Sequence, residues 1–201
     1  MTKQDIHKIC RKYNIINYTI NQDMSIDVNS GVDLNFKYLK ELPLNFNIVD
    51  GDFLCGYNRL KSLKGSPKFL DGSYACNDNN HISSLKYSPN YINGYFNCAN
   101  NNLNSLKYAP NTIKKDFHFD NNNIKSLHHF PNVKQRIYSI NNPISELWDL
   151  FRNRNYIDHF NDLDIIIDDE TSIILDRLNY FLQDIGEEEI TKDYIKNYKV
   201  I

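Results

Sequence analysis

Three thiols, Cys55, Cys76 and Cys98, recur at intervals of 21 and 22 residues. Evenly spaced cysteines can ligate zinc, pair as disulfides or serve redox chemistry. Their surroundings argue against all three uses. Leu34, Phe119 and Ser139 fill the same place in neighbouring segments, and a column that accepts Cys, Leu and Phe alike faces a core. In-register neighbours on parallel strands stand about 4.8 Å apart, wider than the roughly 3.8 Å between the Cβ atoms of a disulfide. Thiols in a straight line cannot cage one tetrahedral ion. Histidine offers no better chemistry: His128 and His129 are adjacent, so in extended chain they point to opposite sides. His118 stands alone as a surface contact residue. The acidic cluster Asp162, Asp164, Asp168, Asp169 and Glu170 lacks the alternating ligands and glycine of a calcium loop, and reads as a solvated turn. The chain holds no Gly-rich phosphate loop, no His-Glu-x-x-His and no Gly-x-Ser-x-Gly motif. A catalytic cysteine in the C-terminal region is ruled out, because no Cys follows Cys98. The expectation is a non-enzymatic protein that uses no cofactor and no metal.

The elements that carry these residues are repeats. With Leu34, Cys55, Cys76, Cys98, Phe119 and Ser139 as anchors, the steps are 21, 21, 22, 21 and 20 residues. A period near 21 leaves room for one strand and a tight return, and such periods mark solenoids. Two residues before the anchors lie Val32, Phe53, Tyr74, Phe96, Phe117 and Ile137, the alternation of a strand with one face inward. Six before come Val28, Val49, Leu70, Ile92, Ile113 and Val133, which close each coil from the descending side. Pairs such as Leu60 and Leu63, or Leu103 and Leu106, fill the core from the return. Three residues after the anchors, Asn58, Asn79, Asn101, Asn122 and Asn142 form a column whose amides can satisfy main-chain groups at a bend. Gly51, Gly72 and Gly94 mark the turn entering each strand, where a positive φ is expected.

Strand residues that alternate with the core columns must project from the concave sheet. The candidate binding face is Asp33, Asp52, Leu54, Tyr57, Asp78, Tyr95, Asn97, Asp116, His118, Asp120, Arg136 and Tyr138. Its tyrosines are amphipathic anchors of the kind enriched at hot spots. Its aspartates invite a protein partner with a basic patch.

Flanking segments read as caps for a core that would otherwise be open at both ends. Thr2 with Asp5 forms a capping box for a helix to about Tyr13, followed by strands at Tyr18-Thr19-Ile20 and Ser25-Ile26-Asp27-Val28. After the repeats, Pro143 opens a helix through Leu147, Trp148 and Phe151; Ile157 and Phe160 mark another; and Thr171 caps a third that ends at Gly186. The predicted organisation is an N-terminal cap over 1–30, a solenoid over 31–147 and a helical cap over 148–201. The fold class is an α/β repeat solenoid with a parallel β-sheet of about six short coils.

The repeat resembles the leucine-rich repeat in its Leu-x-x-Leu-x-Leu-x-x-Asn-x-Leu form, with aromatics and Cys in place of two leucines. More narrowly, it is similar to short leucine-rich-repeat proteins of bacteriophage genomes. That likeness runs through Asn141-Asn142-Pro143-Ile144, Leu147-Trp148 and Phe151, and through the stretch from Leu175 to Gly186. The resemblance implies a binding protein of viral origin that works in the host cytoplasm, and carries no catalytic motif.

Composition limits the partners. A net charge of -2 and a pI near 6.3 lack the basic footprint of a general nucleic-acid binder. The charge is also too small for a nucleic-acid mimic. No run approaches about 18 apolar residues and no secretory h-region opens the chain, so no membrane is expected and the protein is read as cytoplasmic. Two functions follow: an inhibitor of a host or defence protein that acts through the concave sheet, or a two-sided adaptor that uses the C-terminal helices for a second partner.

Overall fold

The computed structural model describes residues 1–167 and 170–201, leaving Asp168 and Asp169 of the predicted acidic turn outside it. Helix α1 (Lys3–Lys12) precedes the antiparallel pair β1 (Tyr18–Ile20) and β2 (Ile26–Val28). Strands then alternate between two sheets: β3 (Val32–Asp33), β4 (Phe46–Val49), β5 (Phe53–Leu54), β6 (Phe69–Leu70), β7 (Tyr74–Ala75), β8 (Tyr91–Ile92), β9 (Phe96–Asn97), β10 (Thr112–Ile113), β11 (Phe117–His118), β12 (Asn132–Val133) and β13 (Ile137–Tyr138). The chain continues as α2 (Ser145–Phe151), a 3-10 turn at Arg154–Tyr156, α3 (Ile157–Asp162), β14 (Ile166–Ile167), β15 (Ser172–Ile173), α4 (Leu175–Asp184) and β16 (Lys199–Val200).

A parallel β-solenoid results. Among the described residues, the odd strands β3 to β13 form a six-stranded sheet, joined by five full turns, and β2 and the even strands β4 to β12 form a second parallel sheet with β1 at its edge. The return path thus carries a short strand of its own, where the repeat length predicts only a tight return. The reason lies in the column Val28, Val49, Leu70, Ile92, Ile113 and Val133, which is fully or almost fully buried and draws the descending chain into register.

Between the sheets lies one apolar core. The predicted inward columns occupy it, from Leu34, Cys55, Cys76, Cys98 and Phe119 through Phe53, Tyr74, Phe96 and Phe117. Rings stack along the axis, Tyr74 on Phe96 at 5.6 Å and Phe96 on Phe117 at 5.5 Å. The hydroxyl of buried Tyr74 meets Ser66 Oγ at 2.6 Å, so the aromatic is held without an unpaired polar atom. All four cysteines are free and buried. Burial pushes the Cys55 thiol up to about 12 and raises those of Cys76 and Cys98 too.

The asparagine column is a ladder. Asn58 Oδ1 accepts the N–H groups of Lys37 and Leu39 in the preceding coil, each at 3.0 Å, while its Nδ2 donates to the carbonyls of Leu34, Cys55 and Gly56. Asn79, Asn122 and Asn142 repeat this pattern, bridging their own coil to the one before. The 22-residue step adds one residue after Asn79, where the Ile82 N–H turns back to the Asn79 carbonyl at 2.9 Å. Asn101 Oδ1 therefore accepts from the Asn79 N–H instead, and the ladder continues. At the last coil a hydroxyl stands in for the missing amide: Ser145 Oγ accepts the Asn142 N–H and donates to the Ser139 carbonyl.

Three local expectations are corrected. Gly51 has a φ of +156°, but neither Gly72 nor Gly94 has a positive φ. Their need for glycine is steric, because a Cβ on Gly72 would meet the main chain of Gly51 and Asp52, and one on Gly94 the Ser73 main chain. Left-handed backbone falls instead on Phe36, Tyr57, Asp78, Asn100, Asn121 and Asn141, two residues after each anchor, with φ between 54° and 59°. Pro143 lies in the turn before α2, whose first residue is Ser145. Thr171 does not cap α4: the helix starts at Leu175 behind Ile174, without a side-chain cap, because Ser172–Ile173 is drawn into a three-stranded sheet with β14 and β16.

Both flanking segments join the core. In α1 the capping box is present and Ile6 and Cys10 are buried. At the other end Phe130, Trp148, Phe151, Phe160 and Phe181 form one aromatic chain. The Tyr198 hydroxyl donates to the Lys125 carbonyl at 2.6 Å, and Glu146 accepts the N–H groups of Lys196 and Asn197.

Candidate functional site

The alternation of β3 to β13 turns one set of side chains out of the six-stranded sheet. Asp33 is exposed; Leu54, Asn97, His118 and Tyr138 are half-buried on the same row. Ala75, in the middle of that row, is only 6% exposed, and Ser73 and Asn77 beside it are buried as well. The face is therefore closely packed at its centre and carries its larger side chains towards both ends.

At the C-terminal end the predicted residues converge. The ring of His118 lies flat on that of Tyr138, with centroids 4.2 Å apart and 4° between planes. Tyr95 meets His118 edge-on at 6.5 Å. Arg136 Nη1 approaches the Tyr138 hydroxyl at 3.4 Å. Burial, reinforced by the charge of Asp52, raises the Tyr95 phenol above its ordinary value, which keeps it a neutral donor. At the N-terminal end Tyr57 stacks on Phe36 at 4.3 Å, and Arg59 lies 5.8 Å from the ring of Tyr38. Phe36 and Tyr38 are 65% and 77% exposed and widen the aromatic surface at this end beyond Tyr57. Phe36 and Tyr57 both sit on the left-handed position two residues after their anchors, and Tyr38 is left-handed as well.

The aspartates do more than give the face its charge. Oδ1 of Asp52 accepts the Ser73 N–H at 2.7 Å, that of Asp116 the Arg136 N–H at 3.0 Å, and that of Asp120 the Ile140 N–H at 2.9 Å. Each ties one coil to the next. Asp33 accepts from the Asn35 N–H and Asn97 from the Ala99 N–H within their own coils, while Asp78 Oδ2 takes the Asn77 amide at 2.6 Å. One carboxylate oxygen of each aspartate is thus committed to the fold. Among the described residues no hydrogen bond engages the other oxygen.

The outer sheet holds a second surface. Ile48, Phe69 and Tyr91, one residue before the buried column there, are 40%, 66% and 46% exposed. The rule used for the six-stranded sheet finds them when applied to the return strand. Beside them Lys86, Lys107 and Lys114 sit over Tyr87, Tyr108 and Tyr91 at 5.3 to 5.8 Å. At the end of the six-stranded sheet a cleft of about 680 Å³ opens between β13 and the segment from Trp148 to Asn155.

Among the described residues no three His, Cys, Asp or Glu gather as a metal site, and no helix is long and apolar enough to cross a membrane. The arrangement offers aromatic faces, amide groups and fixed carboxylates, which is the equipment of recognition. No protein-family model, curated protein or solved structure matches this chain.

Proposed function

We propose that the chain is a non-enzymatic protein-binding module that occludes a host or defence protein with the open face of its six-stranded sheet. The observation that carries this reading is the run of Tyr95, His118 and Tyr138 across three coils, flanked by Asp116 and Arg136. Stacked rings held by a rigid sheet offer contact area at little cost in side-chain entropy. The free oxygens of Asp52, Asp116 and Asp120 favour a partner with a basic patch. The same proposal includes leucine-rich-repeat identity, for which the buried Leu60–Leu63 and Leu103–Leu106 pairs and the asparagine ladder speak, and an end-cap role for α1 and the C-terminal helices. The likeness to bacteriophage proteins supplies the setting, the cytoplasm of an infected cell.

Affinity capture from the natural host tests it with two variants. Tyr95→Ala/Tyr138→Ala removes the rings. Asp52→Asn/Asp116→Asn/Asp120→Asn removes charge and keeps an oxygen to accept each main-chain N–H. The purified partner is expected to bind each variant at least tenfold more weakly than the parent. A partner bound equally by the parent and both variants would eliminate the open face as the site.

A further inference from the structure

The six-stranded sheet stops at β13, which among the described residues has β11 as its one strand neighbour. The N–H groups of Phe117, Phe119 and Asn121 donate to the carbonyls of Arg136, Tyr138 and Ile140 at 2.9, 2.9 and 2.8 Å. Alternation along a strand then turns the main-chain groups of Ile137 and Ser139 the other way. Their counterparts one coil earlier, at Phe117 and Phe119, are satisfied by the coil that follows. After β13 no coil follows.

The end of the outer sheet is closed by a side chain. The Arg154 guanidinium lies across the carbonyls of Val133, Lys134 and Gln135. The Ser139 carbonyl is closed as well, by Asn142 Nδ2 and Ser145 Oγ. What remains is the N–H of Ile137, its carbonyl and the N–H of Ser139, for which the described residues provide no partner. These three groups have the spacing a strand needs to receive another strand. They line the cleft of about 680 Å³, opposite Trp148 and Arg152. Arg136, Arg152 and Arg154 surround it against a single acidic residue, Asp149, which pairs with Arg152 at 3.0 Å on an exposed surface. An exposed pair of this kind is weak and exchanges readily for a better carboxylate.

We propose that this cleft takes an extended acidic segment of a partner protein, which adds to β13 as a further strand and sets its carboxylates on Arg136 and Arg152. The main-chain groups at the sheet's end give the affinity, and the arginines choose the sign of the side chains. The cleft adjoins the open face and shares Arg136 and Tyr138 with it, but its strand-pairing groups are backbone groups at the sheet's edge.

The test uses the full chain and a fluorescein-labelled hexapeptide of alternating Glu and Val. The expected result is saturable binding by anisotropy, at least tenfold weaker for the Lys-Val peptide and for a Glu-Val peptide with proline at its two central positions. Arg136→Glu/Arg152→Glu is expected to reverse the preference towards the Lys-Val peptide. Hydrogen exchange at the Ile137 and Ser139 amides is expected to slow at least tenfold with the Glu-Val peptide bound. Failure of that peptide to bind, equal binding of both charges, or unchanged exchange at both amides would overturn the proposal.

Discussion

The side-chain amide of Asn79 is wholly buried and bonds to the main chain of Leu60, Cys55, Cys76 and Asn77. Replacement by Ala strands those groups in a site that water does not reach, where each unsatisfied group costs about 1–3 kcal/mol. Asn79→Ala is expected to lower stability by roughly 2–4 kcal/mol in urea denaturation, since neighbouring carbonyls regain part of their bonding by relaxation. A loss below about 0.5 kcal/mol would deny the ladder its structural role. The role of these asparagines was legible from their spacing alone, because a polar residue that recurs under a bend has few other uses. The double duty of Asp52, Asp116 and Asp120 was not. An aspartate that faces solvent and one that accepts a main-chain N–H from the next coil look alike in a sequence.

At the scale of elements, the three inward columns of each coil were legible because residue type and interval agreed. The second sheet was not, since polar Asn47, Lys68 and Asn90 stand two residues before the buried Val49, Leu70 and Ile92, so no period-2 alternation of apolar residues marks these return strands. Glycines were misread for a related reason. Gly72 lacks a side chain because the next backbone passes directly over it, and packing of that kind leaves no local signal. Gly72→Ala is therefore expected to destabilise the protein by about 2–4 kcal/mol through a clash with the main chain. Gly186→Ala, at a φ of +82° with open space around it, should cost only about 1–2 kcal/mol of backbone strain. Thermal or chemical denaturation of the two variants decides between them, and the reverse order would refute the close-stacking account.

For the whole molecule, the C-terminal segment cannot be treated as removable. Tyr198 is bonded to Lys125, Ser126 to Glu170, and Phe160 and Phe181 pack on Phe151, so deletion beyond Phe151 would open the core at the last coils. Variants confined to exposed side chains are the sounder route to dissecting function. The core also sets the response to alkali. Cys55, Cys76, Cys98 and Tyr74 are held protonated by burial, with Cys55 up at about 12. The unfolded chain loses these protons from the ordinary thiol value of 9.0 upward, while the folded chain keeps them. Protons bound by the folded state then exceed those of the unfolded state, so stability falls as pH rises. Full stability is expected below pH 9.0, with progressive loss towards about pH 12, in urea titrations across that range. Cys55→Ala/Cys76→Ala/Cys98→Ala should flatten the decline, and an unchanged slope would place its origin elsewhere.

The ladder also gives the molecule a direction in time. Each asparagine reaches back to seal the bend before it, so the turn at Lys37 is complete only when Asn58 arrives 21 residues later. A chain leaving the ribosome amino end first closes every turn one step behind its own growth. Synthesis finishes the job with Ser145, whose hydroxyl bonds the Asn142 N–H and the Ser139 carbonyl, two of the groups that a following amide would have sealed. An extra coil duplicated upstream of that serine would bring its own seal, and the array could lengthen without a new terminator.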